Sequence, residues 1–186
     1  MISKVIQQRT LDASNASTEQ RSVAPSVGII GCGWLGTELA RELIAEEVNV
    51  LATRSNEENI RLLAKREIPA KMLLLPTEQG SLNSHQVFEQ QQLIIAITPQ
   101  FKQGKQDYAH KVAQLVSAAK QSSKVKRIIL LSSSGVYNGL QGVVTEESKL
   151  DLSSEKVKLL HEAEQVVLSF HDNKLNRQGI VLRLSG

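Results

Sequence analysis

Val27-Gly28-Ile29-Ile30-Gly31-Cys32-Gly33-Trp34-Leu35-Gly36-Thr37-Glu38-Leu39-Ala40 is the stretch that decides the fold. A short apolar run leads into Gly31-Cys32-Gly33-Trp34-Leu35-Gly36, which has GxGxxG spacing. Leu35, Leu39 and Leu43 then recur at i, i+4 and i+8 with Ala40 and Ile44 beside them, the buried stripe of a helix over about 34–47. In a strand-turn-helix unit of this kind the first glycine permits the tight turn and the second lets backbone approach a pyrophosphate. The third lets the helix pack closely on the strand, while the helix N-terminus offers free N–H donors and the positive end of its dipole. Without that context the spacing would describe only a packed glycine turn. Within it, Gly31, Cys32, Gly33, Trp34, Leu35 and Gly36 are candidates to hold a dinucleotide. Cys32 occupies a variable position of the loop and reads as a small filler rather than a redox nucleophile.

Outward from this unit, apolar runs recur at 48–52, 71–75, 93–98, 127–132 and 180–184. Together with 27–30 they make six strands, most of them apolar on both faces, as buried parallel strands are. Helical periods lie between them. Ser55 with Glu58 three residues later has the form of a capping box ahead of Ile60, Leu62 and Leu63. Tyr108, Val112, Leu115, Val116 and Ala119 mark a longer helix that stops near Ser122-Ser123. Ser153 or Ser154 begins the last helix, which turns Val157, Leu160, Ala163, Val167 and Phe170 inward. The stretch 78–92 is rich in Gln and has no clear period. Alternating strands and helices with right-handed crossovers give an α/β doubly wound parallel sheet, Rossmann-like, in the order 3-2-1-4-5-6. Residues 1–25, rich in Ser, Gln, Asn and Thr, read as a polar, mobile tail, and 26–186 as one dinucleotide-binding domain.

Composition narrows the classes of function. The 186 residues are 41% hydrophobic and 22% charged, with 22 Lys+Arg against 19 Asp+Glu for a net +3, enough apolar content for a packed core. No apolar run approaches the roughly 18 residues of a membrane span, and Ser3, Lys4, Gln7, Gln8 and Arg9 interrupt any secretory signal. The expectation is a cytoplasmic protein with no membrane partner. Cys32 is the only cysteine, so an intrachain disulfide and a thiolate zinc cage are excluded, and no metal site is expected. Aromatic residues make up 3% and the basic residues are dispersed, which argues against a nucleic-acid partner.

The second strand usually ends in a carboxylate that holds the adenosine ribose. Here it ends in Thr53-Arg54-Ser55, with no carboxylate before Glu57. A guanidinium flanked by two hydroxyls suits the extra 2′-phosphate of NADP, with NAD as the other possibility.

At the fifth strand Leu131-Ser132-Ser133-Ser134-Gly135-Val136-Tyr137-Asn138 resembles the SS-x-x-VYG segment of extended short-chain dehydrogenase/reductases, the NAD-dependent epimerase/dehydratase family. With the glycine loop, the strand at 94–98, Glu146-Glu147 and Val181-Leu182-Arg183-Leu184-Ser185-Gly186, the resemblance is in particular to the atypical, YeeZ-like members, over about 26–186. It implies a nucleoside-diphosphate-sugar epimerase or related oxidoreductase with NADP(H) or NAD(H) as cofactor and a small-molecule substrate that the sequence does not name. Thr98 and Pro99, at the end of the fourth strand, join the candidates facing the cofactor. The family's Ser/Thr four residues before the tyrosine falls on Ser133, with Ser134 one register away, and its hydroxyl would hold the reacting oxygen. Its YxxxK pair with a glutamate four residues further on, matched back from Glu162, places the lysine at Lys158 and puts Ser154 where the tyrosine should be. Serine cannot replace a phenol as acid or base at neutral pH. Tyr137 is the nearest other phenol.

Family members continue beyond the sixth strand with segments that build the substrate pocket, and this chain stops at Gly186. The expectation is therefore either a piece of a longer enzyme or a non-catalytic NADP(H)-binding module acting as sensor or scaffold. A sixth strand without those segments is also expected to leave apolar surface or an open edge, and so to favour a homo-oligomer.

Overall fold

A computed structural model describes residues 25–77 and 82–185, so the N-terminal tail read from the sequence lies outside the described residues. Six parallel strands form one sheet: β1 (Ser26–Ile30), β2 (Asn49–Arg54), β3 (Ala70–Met72), β4 (Gln92–Ile95), β5 (Arg127–Ser133) and β6 (Gln178–Leu184), in the order β3-β2-β1-β4-β5-β6. This is the expected doubly wound arrangement. The register runs through Ile29 opposite Ala52 on one side and Ile94 on the other, and through Ile95 opposite Leu130.

Alternation along each strand feeds two cores. Ile30, Leu93, Ile95, Ile128 and Leu130 face one side, under α3 (Tyr108–Gln121) and α4 (Glu155–Leu168). Val27, Ile29, Val50, Ala52 and Ile94 face the other, under α1 (Trp34–Ala45) and α2 (Glu57–Ala64). The same alternation leaves Ile129 and Leu131 only partly covered, and Leu182 and Leu184 on β6 stand 46% and 40% exposed.

Four local expectations change. The Ser55/Glu58 capping box does not form; Asn56 is the N-cap of α2, its side chain accepting from Asn59 N–H at 2.9 Å, and such a cap contributes about 1 kcal/mol. Ser154 is the N-cap of α4 but its hydroxyl makes no cap bond. β3 stops at Met72 and β4 at Ile95, earlier than 75 and 98, each followed by one further backbone bond to its neighbour, Leu73 N–H to the Arg54 carbonyl and Ala96 N–H to the Ile30 carbonyl. The Gln-rich stretch without a period contains a short 3-10 turn, Gln86–Glu89, that buries Val87 and Phe88 against the sheet.

Candidate dinucleotide cleft and the serine-rich rim

The turn after β1 requires glycine at its first position on two grounds. Gly31 has φ +83°, and a Cβ there would stand 2.7 Å from Ile97 Cγ2 and 2.9 Å from the Ile97 nitrogen. The end of β2 holds this turn in place. Thr53 carbonyl accepts from Cys32 N–H at 2.9 Å, Thr53 Oγ1 accepts from Gly31 N–H at 3.2 Å, and Arg54 Nη1 donates to the Cys32 carbonyl at 2.8 Å. Thr53 is buried and its hydroxyl is engaged in pinning the loop. Gly33, by contrast, opens outward; an added Cβ would meet Arg54 Nη1 at 3.5 Å and the Gly31 carbonyl oxygen at 3.9 Å, both ordinary contacts. Cys32 is fully buried with its sulfur 3.9 Å from Thr37 Oγ1, and burial pushes its thiol pKa up, which suits the filler reading.

Beside this loop lies an open cleft of about 430 Å³ on the carboxyl rim, between β1 and its two neighbours. That is where the strand order reverses, the place at which open α/β sheets bind ligands. Gly31, Gly33, Thr53, Arg54, Ser55 and Thr98, all candidates from the sequence, line it. Cys32, Trp34, Leu35, Gly36 and Pro99 lie outside its lining, and Trp34 is 84% exposed. Leu73, Leu75 and Ile97 supply apolar wall, and Lys105 and Lys111 bring its cations to three with Arg54, while no carboxylate lines it. Sequence reading missed these five because they sit on irregular rim segments or, for Lys111, among the inward positions of α3. A lysine beside Tyr108, Val112 and Leu115 was the available signal. Lys111 is buried and pairs with Asp107 at 2.9 Å.

One strand further along the rim stands the serine run. Ser132 is buried and donates to Glu164 Oε1 at 2.6 Å. Ser133 is exposed at the end of β5, and its Oγ accepts from Gly135 N–H at 3.0 Å, which opens the 3-10 turn Ser134–Tyr137. Tyr137 hydroxyl accepts from Arg183 Nη1 at 2.6 Å, and the Arg183 guanidinium also lies 4.9 Å from the Tyr137 ring centroid. Arg183 Nη2 pairs in turn with Glu164 Oε2 at 2.7 Å, and Glu164 is 1% exposed. These bonds join β5, α4, β6 and the turn, and they raise the Arg183 pKa further, so it stays charged throughout. The phenol of Tyr137 is thereby tied to Arg183.

Lys158 is exposed on α4, and so is Glu162, the residue from which it was counted. The glutamate that α4 turns into the protein is Glu164, two positions later. The same spacing counted back from Glu164 passes Leu160, which is buried, and arrives at Lys156. Lys156 Nζ and Ser133 Oγ both stand within 3.4 Å of the point a Cβ on Gly135 would occupy. The structure thus brings Ser133, Gly135 and Lys156 together on the rim.

A glycine loop before a helix, at the reversal of a six-stranded parallel sheet, defines the Rossmann class of fold. No protein-family model matches the chain. It is 27% identical over 164 residues to Protein YeeZ of Escherichia coli (strain K12), an alignment covering 86% of this chain and 58% of that protein, so the chain spans little more than half of that relative. Among solved structures it is similar to UDP-glucuronic acid 4-epimerase from Bacillus cereus in complex with NAD, with TM-score 0.66, 17% identity and coverage of 86% of this chain and 56% of that one. It is also similar to MoeE5 in complex with UDP-glucose and NAD, with TM-score 0.63, 22% identity and coverage of 85% and 53%. The resemblance read from the sequence holds: the fold is that of NAD-dependent epimerases and reductases, and a YeeZ relative is found by sequence.

Proposed function

We propose that residues 26–186 form an NADP(H)-binding domain of an epimerase- or reductase-type oxidoreductase. The observation that carries this reading is the cleft itself, in which the glycine loop, Arg54 and Lys105, and Lys111 paired with Asp107, meet at the point where the strand order reverses. A pyrophosphate would lie over Gly33 at the N-terminus of α1, with the adenosine toward Leu73, Leu75 and Ser55. Arg54 would carry the 2′-phosphate, helped by the Ser55 hydroxyl, with Thr53, whose oxygen accepts from Gly31 N–H, bracing the loop beside it. Thr98, beyond β4, would face the second nucleoside.

When bound, the dinucleotide supplies or accepts hydride. On the protein's side, Ser133 presents a hydroxyl on the rim whose oxygen already accepts from Gly135 N–H, leaving its hydrogen to donate to a ligand oxygen. Tyr137, held by Arg183, and the exposed Lys158 are less suited to reach that oxygen. A second reading, a cofactor-responsive module without turnover, is favoured by one feature: no phenol stands beside Ser133 in the YxxxK arrangement. The half-exposed Leu182 and Leu184 on the edge strand support association with a second copy of the chain. Among the described residues no helix is long and apolar enough to cross a membrane. Equilibrium titration with NADPH and NADH tests the reading. Saturable binding with NADPH the tighter is expected, and no binding of either overturns it.

A further inference from the structure

Three rim features fix the direction in which a dinucleotide would lie, an argument that rests on the cofactor reading above. The adenosine side is the β2 side, because Arg54, Ser55, Leu73 and Leu75 gather there. The glycine loop takes the pyrophosphate, so the nicotinamide half is left with the β4 and β5 side. Ile95 pairs with Leu130, so β4 ends on the same carboxyl rim as β5, which runs on to Ser133. Ser133 ends that strand, and Lys156, from the first turn of α4, lays its ammonium over Gly135 beside it. Gly135 leaves the space in which the lysine chain runs; a Cβ there would be 3.4 Å from Nζ and 3.6 Å from Cε. Lys156 has no ion-pair partner among the described residues, and the one buried carboxylate nearby, Glu164, is fully engaged by Arg183 and Ser132.

We infer that Lys156 faces the nicotinamide end of the site and makes the protein select the reduced dinucleotide over the oxidised one. The reduced ring is neutral and the oxidised ring carries a positive charge. An unpaired ammonium beside the ring therefore repels only the oxidised form. Two unit charges about 4 Å apart in water differ from no charge by about 1 kcal/mol, a factor of about five, and by more where protein replaces water. The N–H donors of Lys156 together with the Ser133 hydroxyl remain free for an oxygen of whatever ligand sits against the ring. Such selectivity serves a reductase and a redox-responsive module equally.

The test is equilibrium titration of the full chain with NADP+ and with NADPH for the parent, Lys156→Met and Lys156→Arg. Lys156→Met should tighten NADP+ by about fivefold or more and leave NADPH within about twofold, while Lys156→Arg keeps the parent's ratio. NADPH affinity reports on folding in each variant. An unchanged NADP+/NADPH ratio in Lys156→Met, including equal loss of both forms, overturns the inference and leaves the cofactor reading standing. Failure of the parent to bind either form removes that reading, and this inference with it.

Discussion

Arg54 donates from Nη1 to the carbonyl of Cys32 at 2.8 Å, which sets its guanidinium against the open face of Gly33. The residue that would choose the cofactor is thus also a brace of the loop that would hold it. Arg54→Ala should lose about 1.5 to 3 kcal/mol of NADPH affinity, the range for hydrogen bonds to charged groups, and no more than about 1 kcal/mol of NADH affinity through loosening of the loop. Calorimetric titration with both cofactors checks this; equal losses would reduce Arg54 to the brace alone.

Gly31 and Gly33 should part company when substituted. Gly31→Ala forces an L side chain into a left-handed backbone and against the Ile97 main chain, so a loss of about 2 kcal/mol or more in stability is expected. Urea unfolding measures it, and an unchanged midpoint would contradict the geometry.

The Glu164–Arg183 pair is buried on the carboxylate side, so removing one partner is costly. Arg183→Met should destabilise by about 3 to 5 kcal/mol by leaving Glu164 buried without its cation, and Glu164→Gln by less because the amide keeps a bond to Ser132. The double variant Glu164→Met/Arg183→Met should recover much of the loss. Thermal or urea unfolding of the three variants decides it, and additive losses in the double variant would show that the two groups are not coupled.

Association through the β5/β6 face should be visible in sedimentation. At tens of micromolar the parent is expected as a dimer or larger, and Leu182→Lys/Leu184→Lys as a monomer with an unchanged circular dichroism spectrum. A monomeric parent would count against the second copy.

Much of the fold was legible because buried parallel strands and amphipathic helices both write their period into the chain. Ile29 and Ile30, or Ile94 and Ile95, are apolar in succession because each neighbour serves a different core. The glycine loop was legible for the same reason: Gly31 answers a backbone demand that no other residue meets. The rim was harder. Whether Ser55 or Asn56 caps α2 depends on where the chain turns, not on the residues' chemistry, since both are good caps. For Thr53, read as a candidate phosphate ligand, only the fold shows that its oxygen accepts from Gly31 N–H. On α4 the choice between Glu162 and Glu164 is a rotation of about 200°, and nothing local marks which one meets Ser132 and Arg183 across the sheet. That two-residue shift carries the lysine slot of the pattern from Lys158 to Leu160 and the tyrosine slot from Ser154 to Lys156.

In the proposed cofactor reading the open face of Gly33 receives the pyrophosphate of a dinucleotide. Titration of NADPH into the parent and into Gly33→Leu measures it most directly. A leucine there has room beside Arg54 in the open cleft, since φ at Gly33 is −80° and its nearest contact is an ordinary one, so the fold should be kept. Saturable binding to the parent is expected, with at least about a hundredfold weaker binding to a Gly33→Leu variant that keeps the parent's unfolding midpoint, because the side chain fills the place of the phosphates. Equal affinity in the two proteins, or none in the parent, would contradict it.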